Sequence, residues 1–411
     1  MNKVVVIGGG ASGLMASITA AENGAKVYLL EPNERLGKKI NITGKGRCNV
    51  TNDADLEGLM ANIPRNGRFL YSALSRFSSR DTMAFFEKAG VALKVERGNR
   101  VFPVSDSAFS ITDALKGLVK ERGVQWVHDR AVSIDVTDGC VTAVQGEKGT
   151  YMADRAIIAT GGCSYPGTGS TGDGYRMAEA LGHTIIEPKG SLVPLVSDDG
   201  CCGRMQGLAL KNVELTVYNA KNKAVFREFG EMLFTHFGMS GPLVLSASAH
   251  LRDWDKGGYR VSIDLKPALD EQKLDERILR DIADNPNRDA DRVLSGLVPH
   301  SMVGVVMTRL GWPKGLKSHS VTKEQRRSLI QLLKKFEISV RGVRPVSEAI
   351  VTAGGVKVGE VSPNTMESKK VSGLYFAGEV LDVDAYTGGF NLQIAWATGR
   401  LAGIAAAEKR E

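Results

Sequence analysis

The stretch that decides the fold is Gly8-Gly9-Gly10-Ala11-Ser12-Gly13, which fits the pattern G-x-G-x-x-G. That pattern is weak by itself. Here it follows a predicted strand, Lys3 to Ile7, and opens a predicted helix over 11–23. A second predicted strand, Lys26 to Leu30, leads into Glu31, 23 residues after Gly8. This context is typical of a Rossmann-type dinucleotide-binding unit.

Each part of this unit has a predicted role. Gly8 permits the tight turn, Gly10 lets the backbone approach a pyrophosphate, and Gly13 lets the helix pack closely on the strand. The start of the helix offers unpaired N–H groups and a partial positive charge to phosphates. Glu31 can accept hydrogen bonds from a ribose diol, and its charge would repel a 2′-phosphate.

A second element near the C-terminus favours FAD over NAD as the dinucleotide. Residues 373–378 (GLYFAG) read as a strand and turn, followed by Glu379, and residues 387–391 (TGGFN) open a long predicted helix. Flavoproteins with two dinucleotide-binding regions use such a late strand and turn for the ribityl and phosphate end of FAD. A helix that begins near Phe390 would aim partial positive charge at the pyrimidine side of the flavin.

A second G-x-G-x-x-G string occurs at residues 167–172 (GTGSTG). Residues 163–166 separate it from the preceding strand, and no strand that ends in an acid follows at the right distance. We predict a loop near the flavin there, with Asp173 capping the next helix. Because only one dinucleotide fold is predicted, NAD(P)H would bind only transiently over the flavin as an electron donor.

Composition limits the class of protein. The 411 residues, 43% hydrophobic and 24% charged, predict a large packed interior and two or three domains. The formal charge of +7 is compatible with nucleic-acid binding, but a charge spread over a large surface is simpler. The basic stretch 323–335 reads as an amphipathic helix with solvated charges. We therefore expect a small-molecule substrate and no nucleic-acid partner. The sequence leaves the oligomeric state open.

The N-terminus and the cysteines bear on location and metal binding. Three consecutive glycines interrupt the apolar N-terminal run, which argues against a signal peptide. Because no segment reaches the roughly 18 apolar residues of a membrane span, we expect a cytoplasmic protein with no membrane partner. The five cysteines show no metal-ligand spacing, so no metal site is predicted.

The pattern of predicted strands and helices changes along the chain and divides it into segments. The strand-helix pattern of residues 1–189 returns at 345–411, which predicts one discontinuous Rossmann-type α/β domain. Residues 190–268, with about 336–344, alternate like antiparallel strands, and residues 269–335 show helical periods. The predicted fold is an FAD-binding Rossmann-type domain interrupted by a β-rich domain and a small helical domain.

Motifs along essentially the whole chain resemble the BaiN-like flavoproteins, also described as NAD(P)/FAD-dependent oxidoreductases of the aminoacetone-oxidase type. The run Gly44-Lys45-Gly46-Arg47-Cys48-Asn49 is the most specific. Other matching segments are residues 31–39, 51–52, 159–162 (ATGG), 191–195 (SLVPL), 234–242 (FTHFGMSGP), 352–356 (TAGGV) and 388–391 (GGFN). The resemblance implies bound FAD and redox chemistry on a small organic substrate. Members have been linked to amine oxidation and to steroid or bile-acid ring reduction, so it does not fix the substrate.

The glycine turns and the resemblance together give a set of predicted cofactor-binding residues. Among them, Arg47 and Asn49 are expected to contact the flavin, and a structural hydrogen bond within the glycine loop is the alternative for Arg47. Lys38 and Lys39 are expected either to neutralise the pyrophosphate or to form a solvated pair. The predicted set is Gly8, Gly10, Ala11, Ser12, Gly13, Glu31, Lys39, Thr43, Gly46, Arg47, Cys48, Asn49, Val132, Thr160, Gly161, Gly162, Gly378, Glu379, Gly389, Phe390 and Asn391.

The flavin would carry the redox step, while the protein positions the substrate. No catalytic side chain is assigned. His236 is a candidate for proton transfer, Tyr386 is a candidate for substrate contact, and Cys48 lacks the second cysteine of a redox pair. The predicted function is an FAD-dependent oxidoreductase for a small metabolite, whose flavin is reduced by substrate or by NAD(P)H. A flavin-dependent RNA-modifying enzyme and a non-catalytic nucleotide-binding protein are the alternatives.

Overall fold

Short apolar strands from several parts of the chain, including both ends, form one parallel sheet. The Gly8–Gly13 turn lies at the carboxyl end of its central strand. The structure is a computed structural model that describes residues 1–251, 254 and 257–408. Its contacts separate residues 1–191 with 345–411, the first unit, from residues 192–344, the second unit. The domain boundaries expected from the sequence, with a separate helical domain at 269–335, stay a prediction.

The first unit contains thirteen strands and seven helices in the described part of the chain. Its strands are β1 (Lys3–Ile7), β2 (Lys26–Leu30), β3 (Thr51–Asn52), β4 (Leu93–Glu96), β5 (Arg100–Pro103), β6 (Gln125–Val127), β7 (Ala131–Thr137), β8 (Cys140–Gly146), β9 (Thr150–Met152), β10 (Arg155–Ile158), β11 (Ile185–Ser191), β19 (Val351–Val356) and β20 (Leu374–Phe376). Its helices are α1 (Ala11–Glu22), α2 (Leu56–Ala61), α3 (Gly67–Arg76), α4 (Ser79–Lys88), α5 (Ala108–Glu121), α6 (Asp173–Ala180) and α13 (Phe390–Ala407).

The main sheet of the first unit has the strand order β20-β10-β1-β2-β6, and every neighbouring pair is parallel. Its central strands are almost wholly apolar and buried, as expected for a parallel sheet covered on both faces. Smaller antiparallel sheets join β3-β5-β4, β7-β8-β9 and β11-β19. Since β20 comes from the C-terminal segment, the sheet is completed only by the second end of the chain.

Helices α1 and α13 pack so closely that glycine is required at two positions. A Cβ atom placed on Gly399 would lie 2.4 Å from the carbonyl oxygen of Ser12, and one on Gly403 would lie 2.6 Å from that of Ala16. Nearer the start of α13, the indole N–H of Trp396 donates to the Val50 carbonyl at 2.9 Å, which joins this helix to the segment before β3. The two glycine contacts join the C-terminal helix to α1.

The second unit is a seven-stranded antiparallel sheet with helices that share its hydrophobic core. The strand order is β17-β16-β13-β14-β15-β12-β18. The core joins strand residues such as Ile263 and Phe336 to helix residues such as Leu274 and Leu333. The strands are β12 (Leu195–Val196), β13 (Ala209–Tyr218), β14 (Ala224–Thr235), β15 (Gly238–Ser240), β16 (Tyr259–Asp264), β17 (Phe336–Val340) and β18 (Gly342–Val343). The helices are α7 (Cys201–Arg204), α8 (Pro242–Ser248), α9 (Glu271–Ala283), α10 (Ala290–Leu297), α11 (His300–Leu310) and α12 (Lys323–Lys334).

Two local expectations from the sequence are corrected by the structure. The apolar periodicity near 68–89 predicts helix, and the structure divides it into two helices, α3 and α4, because Ser78 and Asp81 form a capping box that starts a new helix. Asp173 does not cap α6. It is the first helical residue, the preceding Gly172 has a left-handed conformation, and the Asp173 carboxylate pairs with Arg130 and Arg176.

Two searches of the described residues bear on membrane and metal binding. None of their helices combines the length and the apolar character that crossing a bilayer requires. Within the same residues, no group of three or more His, Cys, Asp or Glu side chains is arranged to hold a metal ion.

The α1–α13 contact can be tested with Gly399→Ala. We expect it to lower the free energy of unfolding by about 1–3 kcal/mol, because the added methyl group must push the helices apart. Gly117→Ala in α5 is a matched control, since a Cβ there meets nothing within 4 Å. The control should be neutral or stabilising by up to about 1 kcal/mol. Urea unfolding of both variants measures the difference, and equal stabilities would contradict the close contact.

A second prediction concerns acid stability and rests on Glu360. The Glu360 carboxylate accepts hydrogen bonds from the N–H and hydroxyl groups of Thr184, at 2.9 and 2.7 Å, and pairs with Lys370 at 2.9 Å. Burial by itself would raise the pKa of Glu360, but these donors and the lysine charge lower the pKa to about 2. The nearby His183 is buried, which lowers the pKa of its imidazole.

Because the folded pKa of Glu360 lies below the unfolded value of about 4.3, its stabilisation is complete above that pH. It is lost as the pH falls from about 4.3 toward 2. Glu360→Gln should therefore be less stable than the unaltered protein at about pH 7, with a difference that shrinks below about pH 4. Glu179→Gln, on the exposed face of α6, is the control. A difference that stays constant in urea titrations across this range would refute the assignment.

Candidate functional site

Four parallel strands of the first unit end at the same edge of the main sheet. Gly8 follows β1, Glu31 follows β2, Thr160 follows the end of β10 by two residues, and Gly378 does the same after β20. The carboxyl ends of parallel strands are where doubly wound α/β folds bind ligands. The structure thus brings together four turns that are up to 370 residues apart in the sequence.

In the turn between β1 and α1, neighbouring backbone leaves no room for a side chain at Gly8 or Gly13, whereas the position of Gly10 is open. A Cβ on Gly8, which has φ +104°, would lie 2.6 Å from the Ala159 carbonyl oxygen. One on Gly13 would lie 1.8 Å from the Gly8 carbonyl oxygen. A Cβ on Gly10 meets nothing within 4 Å, and no side chain of the described residues caps α1. The turn therefore leaves space beside the positive end of α1, which suits a pyrophosphate.

Glu31 lies beside this turn as a carboxylate that is 9% exposed. Its Oε2 accepts a hydrogen bond from the Gly9 N–H at 2.7 Å. Its Oε1 accepts from both the backbone N–H and the side-chain amide of Asn33, at 2.8 and 2.7 Å. Three N–H donors thus compensate the burial of this charge.

Glu379 is the second carboxylate of the site, and it joins four distant segments. Lys39 pairs with it at 2.9 Å, the Ser164 hydroxyl donates at 3.0 Å, and the Thr352 N–H donates at 2.8 Å. Burial raises the pKa of Glu379, but the Lys39 charge and these hydrogen bonds outweigh burial and hold the pKa below its usual value. Glu379 is therefore an ionised hydrogen-bond acceptor at the end of β20.

The structure places the Lys39 ammonium on Glu379 and on the Ser164 hydroxyl, at 2.9 and 2.6 Å. Lys39 was expected to neutralise a pyrophosphate, and this placement gives it a carboxylate partner within the protein. Gly162 belongs to the same cluster, because a Cβ there would lie 2.3 Å from Thr352 Oγ1. Close packing explains the glycine at 162.

The loop over residues 43–49 has unusual backbone geometry. Lys45 and Cys48 both have φ +60°, a left-handed conformation that costs non-glycine residues energy. The Cys48 thiol is fully buried, and burial raises its pKa to about 12, so it stays protonated and unreactive. Near it, the Asn49 Oδ1 atom is buried without a hydrogen-bond partner among the described residues.

The Arg47 guanidinium, a predicted flavin contact, has three partners within the protein. The guanidinium pairs with Glu96 and Asp106 and lies over the Phe102 ring, 4.2 Å from the centroid. The hydrogen bonds to these carboxylates raise the pKa of Arg47 and lower those of Glu96 and Asp106. In this structure Arg47 therefore fastens the 43–49 loop to the β4–β5 hairpin.

The segment after β10 contributes a further polar atom. The Thr160 hydroxyl is buried and has no hydrogen-bond partner among the described residues. Gly161 follows it with φ +72°, in the left-handed region that favours glycine. Thr160 lies beside the Gly8 turn, since a Cβ on Gly8 would be 3.0 Å from its Cα.

The start of α13 forms the last predicted part of the site. A Cβ on Gly389, which has φ +100°, would lie 2.3 Å from the Thr51 carbonyl oxygen, so only glycine fits there. The Asn391 side chain accepts from the Ala385 N–H at 3.0 Å and donates to the Ala385 carbonyl at 2.7 Å. Phe390 is buried, and no side chain of the described residues caps the helix.

The remaining predicted residues lie in three different settings. Val132 is 57% exposed and sits at a register shift between β7 and β8, where the ladder skips it. Tyr386 is half-buried, and its N–H donates to the Asn62 carbonyl at 3.0 Å. His236 lies in the second unit, is exposed, and meets Phe237 edge to face at 5.0 Å. No described contact gives His236 or Tyr386 a catalytic role.

Sequence reasoning missed three residues that hold the site together: Asn33, Ser164 and Thr352. Ser164 and Thr352 are fully buried, and both bind Glu379. Thr352 lies in the TAGGV segment that the resemblance quoted, so that segment was a usable signal. Asn33 and Ser164 lie in loops without a motif, and their roles depend on partners that only folding brings near.

The residues present fit FAD by three observations. The space at Gly10 lies beside the uncapped start of α1, where a pyrophosphate needs room and N–H donors. Asn49 Oδ1 and Thr160 Oγ1 are buried polar atoms whose hydrogen bonds a cofactor could complete. Glu31 and Glu379 are acceptors suited to sugar and ribityl hydroxyl groups.

Comparisons with known proteins identify the family of the chain. The family described as "HI0933-like protein Rossmann domain" matches residues 2–405. The chain is 33% identical to a 3-dehydro-bile acid delta(4,6)-reductase of Clostridium scindens over 421 residues, which cover 100% of both proteins. It is also 33% identical to a ribosomal RNA dihydrouridine synthase of Escherichia coli over 396 residues, which cover 96% of this chain and 95% of the relative.

Among solved structures, the chain resembles a 3-ketosteroid-delta4-(5alpha)-dehydrogenase from Rhodococcus jostii RHA1. The TM-score is 0.54 with 16% sequence identity, and the match covers 99% of this chain and 97% of that one. At this identity the likeness shows the fold alone.

The fold and the site define a Rossmann-type flavoprotein, an FAD-dependent oxidoreductase. The chain belongs to the HI0933-like Rossmann family. The predicted fold class and the resemblance to BaiN-like flavoproteins are therefore confirmed. The individual cofactor-binding residues stay predictions.

The open space at Gly10 provides a direct test of the pyrophosphate site. Gly10→Val should leave the unfolding midpoint of the FAD-free protein within about 3 °C, because its Cβ meets no protein atom within 4 Å. It should weaken FAD binding by at least about tenfold by filling the cradle. Gly149→Val is the control away from the turn, because its Cβ position is equally open and its φ lies outside the left-handed region, as at Gly10. Unchanged FAD affinity in Gly10→Val would place the cofactor elsewhere.

Proposed function

We propose that this chain reduces a carbon–carbon double bond conjugated to a carbonyl group in a small metabolite, with NAD(P)H as the source of electrons. The observation that carries the proposal is the open cradle at Gly10, which lies between two ionisable acceptors at the ends of β2 and β20. It supports an FAD held across one sheet edge. The substrate chemistry is supported by the relatives.

The two relatives with 33% identity share a type of reaction although their substrates differ. One is named for reducing the delta(4,6) positions of a 3-dehydro-bile acid, and the other for making dihydrouridine in ribosomal RNA. A 3-oxo-4,6-diene and a uracil ring both contain a double bond conjugated to a carbonyl. Reduction adds a hydride to the β carbon and a proton to the α carbon. This shared chemistry is the reaction we assign to the present chain.

Bound FAD would supply the hydride transfer itself. The residues of this chain bind and orient the cofactor. The N–H groups at the start of α1 would bind the pyrophosphate, and Glu31 and Glu379, which accept backbone N–H groups in this structure, would also accept hydrogen bonds from cofactor hydroxyl groups. The start of α13 carries partial positive charge, which favours negative charge developing on the pyrimidine side of a flavin.

The proposed electron donor binds transiently. In the described residues, one parallel sheet carries a G-x-G-x-x-G turn between a strand and a helix, at Gly8–Gly13. The second such string, at residues 167–172, follows a loop and precedes α6, as expected from the sequence. A nicotinamide nucleotide would therefore leave before or as the substrate binds.

A second candidate function is uridine reduction in ribosomal RNA. It is favoured by the 33% identity to the Escherichia coli dihydrouridine synthase over 96% of this chain, and by the net charge of +7. We prefer the small metabolite because the bile-acid reductase matches the full length of both proteins. The two candidates differ in substrate size and in salt dependence of binding, and not in the type of bond reduced.

Anaerobic stopped-flow spectroscopy tests the proposal with the FAD-loaded protein. NADPH or NADH should bleach the flavin band, and a 3-oxo-4-ene or 3-oxo-4,6-diene steroid should restore it. The Gly10→Val variant, mixed with the same concentration of FAD, is the control for reduction of flavin that is not bound to the protein. Bleaching by an amine, followed by peroxide release in air, would replace the reductase with an oxidase. Dihydrouridine formed in ribosomal RNA, without turnover of any enone, would favour the second candidate.

A further inference from the structure

One side chain, Asn33, connects the carboxylate of Glu31 to the second glycine-rich string. The two hydrogens of its amide nitrogen serve two partners: Glu31 Oε1 at 2.7 Å and the Thr168 carbonyl oxygen at 3.1 Å. An amide NH₂ group has two donors, so both bonds can exist together. Asn33 is half-buried, which shields these bonds from water.

The loop of residues 163–172 is shaped to approach Asn33. Gly169 has φ +106°, and a Cβ there would lie 2.6 Å from the Asn33 amide nitrogen, so any side chain would collide with it. The same loop is tied at its other end, where the Lys39 ammonium meets the Ser164 hydroxyl at 2.6 Å. Two residues that follow β2 therefore fasten this loop beside the cofactor site.

The hydrogen bonds of Glu31 show why Asn33 matters. A carboxylate has about four acceptor positions. The backbone N–H and the side-chain amide of Asn33 occupy the two positions on Oε1, and the Gly9 N–H occupies one position on Oε2. In the described part of the chain, no lysine or arginine forms an ion pair with Glu31. The carboxylate is thereby held in one orientation, with the remaining position on Oε2, next to the Gly8–Gly13 turn.

We propose that Asn33 is a positioning residue for the adenosine end of the dinucleotide. It fixes Glu31 so that Oε2 can accept a hydrogen bond from a ribose hydroxyl, and it anchors the 163–172 loop beside that ribose. Because the orientation is set before the ligand arrives, less freedom is lost on binding. The inference rests on the proposed binding of FAD at the Gly8–Gly13 turn and assigns a role to the second glycine string.

The test measures ADP and FAD binding to the full-length protein after removal of its flavin, by titration calorimetry. ADP carries the adenosine and pyrophosphate parts of FAD and lacks the flavin and ribityl parts. Asn33→Ala removes both amide bonds and should weaken ADP and FAD by the same factor, about tenfold. Asn33→Asp keeps the size but places a second carboxylate beside Glu31, so it should weaken ADP further. Asn23→Ala, whose amide donates to Thr19 within α1, is the matched control and should change neither affinity.

A double-mutant cycle separates positioning from a general loss of structure. If Asn33 acts through Glu31, then Asn33→Ala in a Glu31→Gln background should cost less than about twofold in ADP affinity. An undiminished loss in that background would overturn the proposal, as would wild-type ADP affinity in Asn33→Ala. Hydrogen exchange should be faster over residues 163–172 in Asn33→Ala, and unchanged exchange would contradict the anchoring of the loop.

The outcome also distinguishes this inference from the proposed function. If the unaltered protein binds neither ADP nor FAD, the proposed function fails together with the role of Asn33. If it binds both ligands and Asn33→Ala binds them equally well, only the role of Asn33 fails. Unfolding midpoints of all variants within about 3 °C of each other ensure that affinity, and not folding, is compared.

Discussion

The site depends on how closely the backbone packs around the first half of helix α1. At its start, Gly13 leaves no room for a side chain beside the Gly8 carbonyl, and along its length Ser12 and Ala16 contact Gly399 and Gly403 of α13. These contacts fix the position of the helix relative to β1 and α13. Since the N–H groups at its start point along its axis, fixing the helix also fixes where an anion can bind.

Two carboxylates flank this anion position, and the protein stabilises their charges in different ways. Glu31 is compensated by neutral N–H donors from Gly9 and Asn33. Glu379 is compensated by the Lys39 ammonium as well as by Ser164 and Thr352. A partly buried acid without such partners would be costly to keep ionised. Both remain acceptors, which suits the hydroxyl groups at the two halves of a dinucleotide.

The 43–49 loop shows how a specific motif can have a structural cause. Its most recognisable residue, Arg47, is held by Glu96 and Asp106 above the Phe102 ring. Left-handed Lys45 and Cys48 make the loop energetically unfavourable in isolation, so it needs an anchor. Arg47 supplies that anchor, and the atom left without a partner is Asn49 Oδ1.

Local patterns were sufficient to predict the strand-turn-helix unit at residues 3–31, the long C-terminal helix and the fold class, whereas the flavoprotein family was indicated by the resemblance of the motifs. Those features depend on glycine spacing, apolar periodicity and residues close together in the chain. Even the split of the helix near residue 78 was present as a capping box, although it was not recognised. The partners of Arg47, the Lys39–Glu379 pair and the role of Asn33 were decided only by folding. Each joins residues separated by 45 residues or more, as Lys39 and Glu379 are by 340, or depends on a loop conformation that no local pattern specifies. Such contacts arise only after the sheet has brought the two ends of the chain to one edge.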